Sequence, residues 1–254
     1  MLRKAMGDID VKAGVLSILS RVEAAYAKKS ENSQQPKPLL VAVSKTKPVE
    51  MIIDAYSVNQ KHFGENYVQE LEEKGFNEHI LQKCPDIKWH FIGHLQTNKI
   101  NKVLKVPNLY MIETVDSEKL ANSLDSAWGK LNKPDKEPLR VLVQVNTSGE
   151  EGKNGIQPSD AVKLYSHIKD NLKNLNVNGI MTIGAFGHDY STGPNPDFIS
   201  LMKVHKELTV KLNIEPHQLQ VSMGMSDDFE QAIEAGSTIV RVGSSIFGHR
   251  AKKI

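Results

Sequence analysis

The sequence predicts an α/β fold: a single (β/α)8 TIM-type barrel with an additional N-terminal helix and no appended β-domain. Three observations lead there. Apolar runs rich in Val, Ile and Leu, of the kind buried on both faces of a parallel sheet, alternate with stretches of helical periodicity. Roughly eight such strands fit into 254 residues, the usual size of this barrel. No repeat, linker or shift in composition divides the chain, so residues 1–254 are expected to form one domain. A doubly wound open sheet is the rival, and strand count is the main reason to set it aside.

In chain order, Val11, Val15, Leu16, Leu19, Val22 and Tyr26 lie at helical spacing. Ser30 to Pro38 is polar and reads as a loop. Leu39 to Val43 is the first strand. Pro48, at the first helical position with Glu50 in the first turn, opens a helix through Ile52, Ile53 and Tyr56. Lys61 to Asn66 is a short strand with a helix from about Tyr67, and Ile87 to His94 is a strand with a helix from about Thr97. Leu109 to Val115 precedes a helix capped by Asp116 or Ser117. Arg140 to Asn146 is a strand, and Pro158 starts the helix through Tyr165 and Ile168. Val177 to Gly184 is the sixth strand, and Phe198, Leu201, Met202, His205 and Leu208 mark the helix after it. Leu219 to Gly224 follows, then a helix with Asp227 and Glu230 as a capping box and Gly236 at its end. Thr238 to Gly243 closes the series. The sequence stops at Ile254 with no room for an eighth outer helix, and the helix ahead of the first strand is the candidate to cover that gap.

Composition narrows the function classes. The formal net charge is +2 and the basic residues are dispersed, whereas a nucleic-acid partner calls for a concentrated basic stripe. A lone cysteine, Cys84, excludes an internal disulfide and a cysteine-based zinc site, and it reads as an ordinary thiol. No apolar run approaches the roughly 20 residues that cross a bilayer. Met1 to Asp10 has basic residues without an apolar region behind them, and its early acids weaken a mitochondrial presequence without removing it. A cytoplasmic protein is expected, a mitochondrial pool is left open, and the sequon at Asn146 should stay unglycosylated. His90 and His94 would lie about 13 Å apart on one strand at roughly 3.3 Å per residue, too far to share a metal, so no metal site is expected.

Chemistry gathers at the strand ends. Lys45 stands where the first strand gives way to the loop before a helix, the end of an α/β strand at which ligands bind. A lysine half wrapped in apolar surface can lose its proton and attack a carbonyl, whereas the bland alternative is a solvated strand end. The loops Ser222 to Ser226 and Gly243 to Ser245 follow strands seven and eight, where barrels hold phosphate, and glycine and successive N–H groups make an anion nest. Alternation in the last strand places Arg241 opposite Val240 and Val242, hence inside the barrel. An inward arginine needs an acceptor, either a carboxylate such as Glu65 or Glu113 or a ligand atom. Lysine for an aldehyde, a nest for phosphate and a donor-only arginine for a ring nitrogen describe a site for pyridoxal 5'-phosphate.

The motifs Ala42-Val-Ser-Lys-Thr-Lys-Pro48, Phe63-Gly-Glu-Asn-Tyr-Val-Gln-Glu70, Trp89-His-Phe-Ile-Gly-His-Leu-Gln96, Ser222-Met-Gly-Met-Ser226 with Asp228, and Val240-Arg-Val-Gly243 with Ile246-Phe-Gly248 closely resemble the pyridoxal phosphate homeostasis protein family, itself similar to the barrel of alanine racemase. The resemblance implies Lys45 as the imine residue and Arg241 near the ring nitrogen. It also implies Ser222, Gly243 and Ser244 around the phosphate and Asn66 beside the cofactor. The function it implies is a protein that buffers or delivers pyridoxal phosphate, held as an imine on Lys45. No catalytic residue is then expected, and the partners are the cofactor and the apo-enzymes that receive it, with no nucleic acid or membrane. The chain is expected to be a monomer. Two alternatives differ in class: a pyridoxal-phosphate-dependent amino-acid racemase, with Tyr67 or Tyr110 as a second base, and a barrel enzyme using Lys45 on a phosphorylated sugar.

Overall fold

Every residue of Leu39–Val43 (β1) is apolar and Leu40 to Val43 are buried, because neighbours cover both faces of the strand. Most strand residues around the sheet are likewise buried in the computed structural model, which describes residues 9–28, 36–131 and 137–249. The N-terminal segment read for a targeting signal lies almost wholly outside those residues, as does most of the Ser30 to Pro38 loop. Eight parallel strands close on themselves in chain order, giving a TIM-type barrel: β1, His62–Glu65 (β2), Lys88–Phe91 (β3), Leu109–Val115 (β4), Leu139–Gln144 (β5), Leu175–Met181 (β6), Gln220–Ser222 (β7) and Ile239–Val242 (β8). The closing pair registers Val41 with Arg241 and Ala42 with Val242.

Side-chain alternation divides two cores. Val41, Met111, Leu142, Met181 and Ile239 fill the lower barrel interior. Leu40, Ala42, Phe63, Trp89, Phe91, Val141, Val221, Val240 and Val242 point the other way and pack under the helices. Those helices are Val49–Ser57 (α2), Val68–Gly75 (α3), Glu78–Lys83 (α4), Ile100–Lys105 (α5), Glu118–Lys130 (α6), Ala161–Asn171 (α7), Pro196–Leu212 (α8) and Phe229–Ala235 (α9). Val11–Ala27 (α1) packs against α2, α9 and the short Ser244–Phe247 (α10), and so occupies the eighth outer position. Gly14 lets it come close: a Cβ there would sit 2.9 Å from the Ile246 carbonyl oxygen. No helix among the described residues is long and apolar enough to cross a membrane.

Local chemistry sets the boundaries. Ser117 caps α6 by accepting the Leu120 N–H at 3.3 Å, and Gly236 ends α9 at φ 125°. Pro48 is the N-cap residue of α2 rather than its first helical residue. The expected Asp227–Glu230 capping box does not form. Asp228 is the N-cap of α9, its carboxylate turns back to accept the Met225 N–H at 2.6 Å, and Glu230 pairs instead with Arg21 of α1 at 2.8 Å. The region after β2 is two helices, α3 and α4, with Asn77 capping the second.

Candidate functional site

At the carboxyl end of β1 the chain turns through Ser44, Lys45 and Thr46, and the Lys47 N–H closes the turn on the Ser44 carbonyl at 3.0 Å. Lys45 is half-buried there, two residues beyond Val43 on the same side of the strand's alternation as Val41. Thr46 sits at φ 63°, a region that β-branched residues rarely enter. Lys47 reaches away, donating from Nζ to the Gly248 carbonyl at 2.8 Å. Of the lysine pair, only Lys45 continues the inward face.

Arg241 lies inside the barrel at 4% exposure. Its Nη1 donates to Ser222 Oγ at 2.6 Å and its Nη2 to the Thr182 carbonyl at 2.8 Å. Ser222 Oγ in turn donates a hydrogen bond to Glu113 Oε2 at 2.6 Å, and His90 Nδ1 meets the other oxygen of Glu113 at 2.7 Å. His62 completes the chain, its Nδ1 lying 2.8 Å from His90 Nε2. Burial pushes the Glu113 carboxyl upward, but the His90 hydrogen bond and the charges of His90 and Arg241 outweigh it, so Glu113 is held below the usual carboxylate range. Burial likewise pulls Arg241 down, with Glu113 and Asp228 opposing it. A guanidinium stays charged in such a setting, so Arg241 faces the interior as a donor only.

Of the two carboxylates expected as inward partners, only Glu113 lies inside the barrel, and it meets Arg241 through Ser222 rather than directly. Glu65 points outward under α3, where Ser44 Oγ donates to it at 2.6 Å and Lys74 Nζ at 2.8 Å. Ser222, expected among the phosphate donors, is fully buried and its hydroxyl lies between Arg241 and Glu113. Gly243 and Ser244 do lie at the rim, at the start of α10, and the Gly243 N–H donates to Ser226 Oγ at 3.2 Å. The β1–β8 register carries Gly243 alongside Val43, so that a Cβ on Gly243 would stand 3.2 Å from the Val43 carbonyl oxygen. Asn66 follows β2 on the inward parity, and its Oδ1 is buried without a hydrogen-bond partner. A Cβ on Gly93 would collide with the Asn66 carbonyl, so glycine there lets the β3 exit close over this residue.

The remaining candidates separate. Tyr110 opens β4 at the opposite end of the barrel, its ring 5.0 Å from that of His62 and 5.2 Å from that of His90, remote from Lys45. Tyr67 is about half exposed at the rim. β3 ends at Phe91, so His94 is a loop residue, 3.9 Å from Asp116. Among the described residues no three His, Cys, Asp or Glu side chains converge on a metal position. Cys84 is buried at the end of α4, and burial pushes its thiol up to about 11, which suppresses the thiolate. Sequence reasoning missed Lys74, buried behind the Lys45 turn. Its spacing four residues after Glu70 was the available signal.

Residues 19–251 match the family model of the alanine racemase N-terminal domain. The human pyridoxal phosphate homeostasis protein is 52% identical over 243 residues, covering 96% of this chain and 88% of its own. Its counterpart from Vibrio cholerae is 42% identical over 244 residues, covering 94% of this chain and 96% of its own. This chain belongs to the pyridoxal phosphate homeostasis protein family. Among solved structures, PipY of Synechococcus elongatus with PLP bound superposes with a TM-score of 0.73 at 30% identity, covering 94% of this chain and 100% of that one. The family motifs at Ala42 to Pro48, Ser222 to Ser226 and Val240 to Gly243 are the segments that meet at the β1–β8 corner and its β7 neighbour.

Proposed function

We propose that this protein binds pyridoxal 5'-phosphate at the carboxyl end of the barrel as an imine on Lys45, and that it buffers or delivers the cofactor without turnover of its own. The observation that carries this reading is the β1–β8 corner, where the Lys45 turn and the Gly243–Ser244 turn run side by side above the inward Arg241. The donor set fits the cofactor. An amine suits the aldehyde, N–H groups at the start of a helical turn suit the phosphate, and a donor-only guanidinium suits a ring nitrogen. The unpartnered Asn66 Oδ1, or its amide in the flipped orientation, gives a bound molecule a further contact. Phosphate then rests on Gly243, Ser244 and Ser226, while Ser222 acts from below by holding Arg241.

When bound, the cofactor supplies an aldehyde that captures amines with loss of water and a ring that can withdraw electrons. Arg241 donates hydrogen bonds without giving up a proton, so the ring nitrogen would stay an acceptor and the ring a weak electron sink. The names of the relatives support homeostasis, and the PLP-bound PipY supports the ligand. A racemase is the second reading. It needs proton donors on both faces of the substrate, and of the two tyrosines considered for this only Tyr67 is at the right end of the barrel. The test is the visible spectrum of the purified protein, followed by borohydride reduction and mass mapping. An adduct on Lys45 is expected. An adduct on another lysine, or none after incubation with the cofactor, defeats the assignment.

A further inference from the structure

Lys74 lies on α3 with its side chain at 9% exposure, and two of its three acceptors, Glu65 and the Ser44 carbonyl, lie off its own helix. Its Nζ donates to Glu65 Oε1 at 2.8 Å, to Glu70 Oε2 at 3.0 Å and to the backbone carbonyl of Ser44 at 2.8 Å. Three donors and three acceptors are thus matched, the arrangement a buried ammonium needs. Glu70 also accepts the backbone N–H of Thr46 at 2.6 Å. Ser44 is held to the cluster a second time, by its hydroxyl donating to Glu65 Oε1 at 2.6 Å. The residues on either side of Lys45 are therefore both fastened to one ionic cluster behind the barrel wall, the carbonyl before it by Lys74 and the amide after it by Glu70.

That fastening opposes a backbone which would otherwise relax. Thr46 is held at φ 63°, a conformation unfavourable for a β-branched residue, and its N–H is the group Glu70 grips. An ordinary helix-docking ion pair has no reason to reach into the backbone of this turn. The comparison is available on the same helix: Glu72 pairs with Lys102 of α5 at 3.1 Å, both half-exposed, and holds helix to helix.

We propose that Lys74 is a positioning residue for Lys45, acting with Glu65 and Glu70 to fix the Ser44–Thr46 turn so that the Lys45 amine is presented to the cofactor aldehyde in one orientation. The proposal rests on Lys45 as the residue that binds pyridoxal phosphate.

The experiment compares Glu70→Ala and Lys74→Met with Glu72→Ala as the helix-docking control. In the apoprotein, amide hydrogen exchange at Thr46 should speed up in Glu70→Ala and Lys74→Met and stay at the wild-type rate in Glu72→Ala. In the protein loaded with pyridoxal phosphate, both cluster variants should show a shifted visible maximum and about tenfold weaker retention of the cofactor, the size expected for losing one charge-assisted hydrogen bond. Glu72→Ala should match wild type in both. Glu70 is part-exposed, so its variant should fold even if Lys74→Met does not. Glu70→Ala with wild-type exchange at Thr46, or with a wild-type spectrum and retention, overturns the proposal, as does an equal change in Glu72→Ala. A wild-type adduct on a different lysine would instead defeat the Lys45 reading while the exchange result at Thr46 still reported on the clamp.

Discussion

Lys47 donates from Nζ to the carbonyl of Gly248 at 2.8 Å, binding the end of the first strand's turn to the chain after α10. A second bond, to the His249 carbonyl at 3.2 Å, continues the same tether. Lys45, two positions earlier, follows directly on the inward side of β1, whereas Lys47 is tied to the chain after α10, and the proposed function gives the two lysines separate roles. Lys47→Ala should keep the visible absorption of the loaded protein and lose about 1 kcal/mol of stability in chemical denaturation. Lys45→Ala should do the reverse, losing the band with little change in stability. Loss of the band in Lys47→Ala alone would exchange the two roles.

Gly14 makes the replacement of the eighth outer helix possible. Alanine is favoured over glycine inside a helix by about 1 kcal/mol. At this position, however, the added Cβ would lie 2.9 Å from the Ile246 carbonyl oxygen and 3.2 Å from its Cα, both backbone atoms. Gly14→Ala should therefore destabilise the protein, against the propensity scale, with a lower thermal midpoint. A raised midpoint would mean that α1 does not lean on α10 as described.

His62 gives the stability a pH dependence. Burial, then the charges of His90 and Lys88, lower its pKa from 6.5 to about 3. Above the unfolded value both states hold a neutral imidazole. As pH falls from 6.5 toward 3, the unfolded chain takes up a proton that the folded protein refuses, so stability contributed by neutral His62 is lost across that window. The stability gap between wild type and His62→Gln, measured by urea denaturation, should narrow between about pH 7 and about pH 4.5. A gap independent of pH would place a charged His62 in the fold.

The barrel was legible because its strands are short, apolar and separated by helices of clear period, and because Val240 and Val242 fixed the inward side of Arg241 by alternation. Where a strand offered less, the reading slipped. In β2 the four residues His62–Glu65 give no clean alternation, and Glu65 turned out to face Lys74 rather than Arg241. The Asp227–Glu230 spacing suits a capping box, yet Glu230 found a stronger partner in Arg21, far away in the chain. The hydrogen bond from Ser222 to Glu113 joins residues 109 positions apart, a contact that no local pattern encodes. Lys74 shows in the sequence only as a lysine four residues after Glu70, a spacing that ordinarily marks a solvated ion pair, and only tertiary packing buries it.

If Gly243, Ser244 and Ser226 hold the phosphate, pyridoxal lacking that group should bind far more weakly than pyridoxal phosphate. Each charge-assisted hydrogen bond lost is worth about 1.5–3 kcal/mol. Titration of the two vitamers followed by the visible band measures the difference. Similar affinities would move the phosphate elsewhere.

The carrier reading has a direct chemical consequence. On that reading Arg241, held by Ser222 and Thr182 and balanced by Glu113, is a fixed donor that would leave the ring nitrogen unprotonated. Carbanion chemistry on such a ring is slow unless two well-placed bases drive it, and Tyr110, one candidate for the second, lies at the far end of the barrel. Exchange of the cofactor needs none of this. Lys45 is only half-buried, so a linkage formed there would be open to water or to an incoming amine, either of which would free the lysine and release the aldehyde. The protein would then hold a reactive aldehyde out of reach of stray amines and give it up to an apo-enzyme that binds it more tightly. Loaded protein incubated with single enantiomers of alanine or serine should leave their chirality unchanged and form no keto acid, even at high protein concentration. Loaded protein mixed with an apo-enzyme that depends on pyridoxal phosphate should lose its band as that enzyme gains activity. Turnover of either amino acid, abolished by Lys45→Ala, would make this protein an enzyme and end the carrier reading.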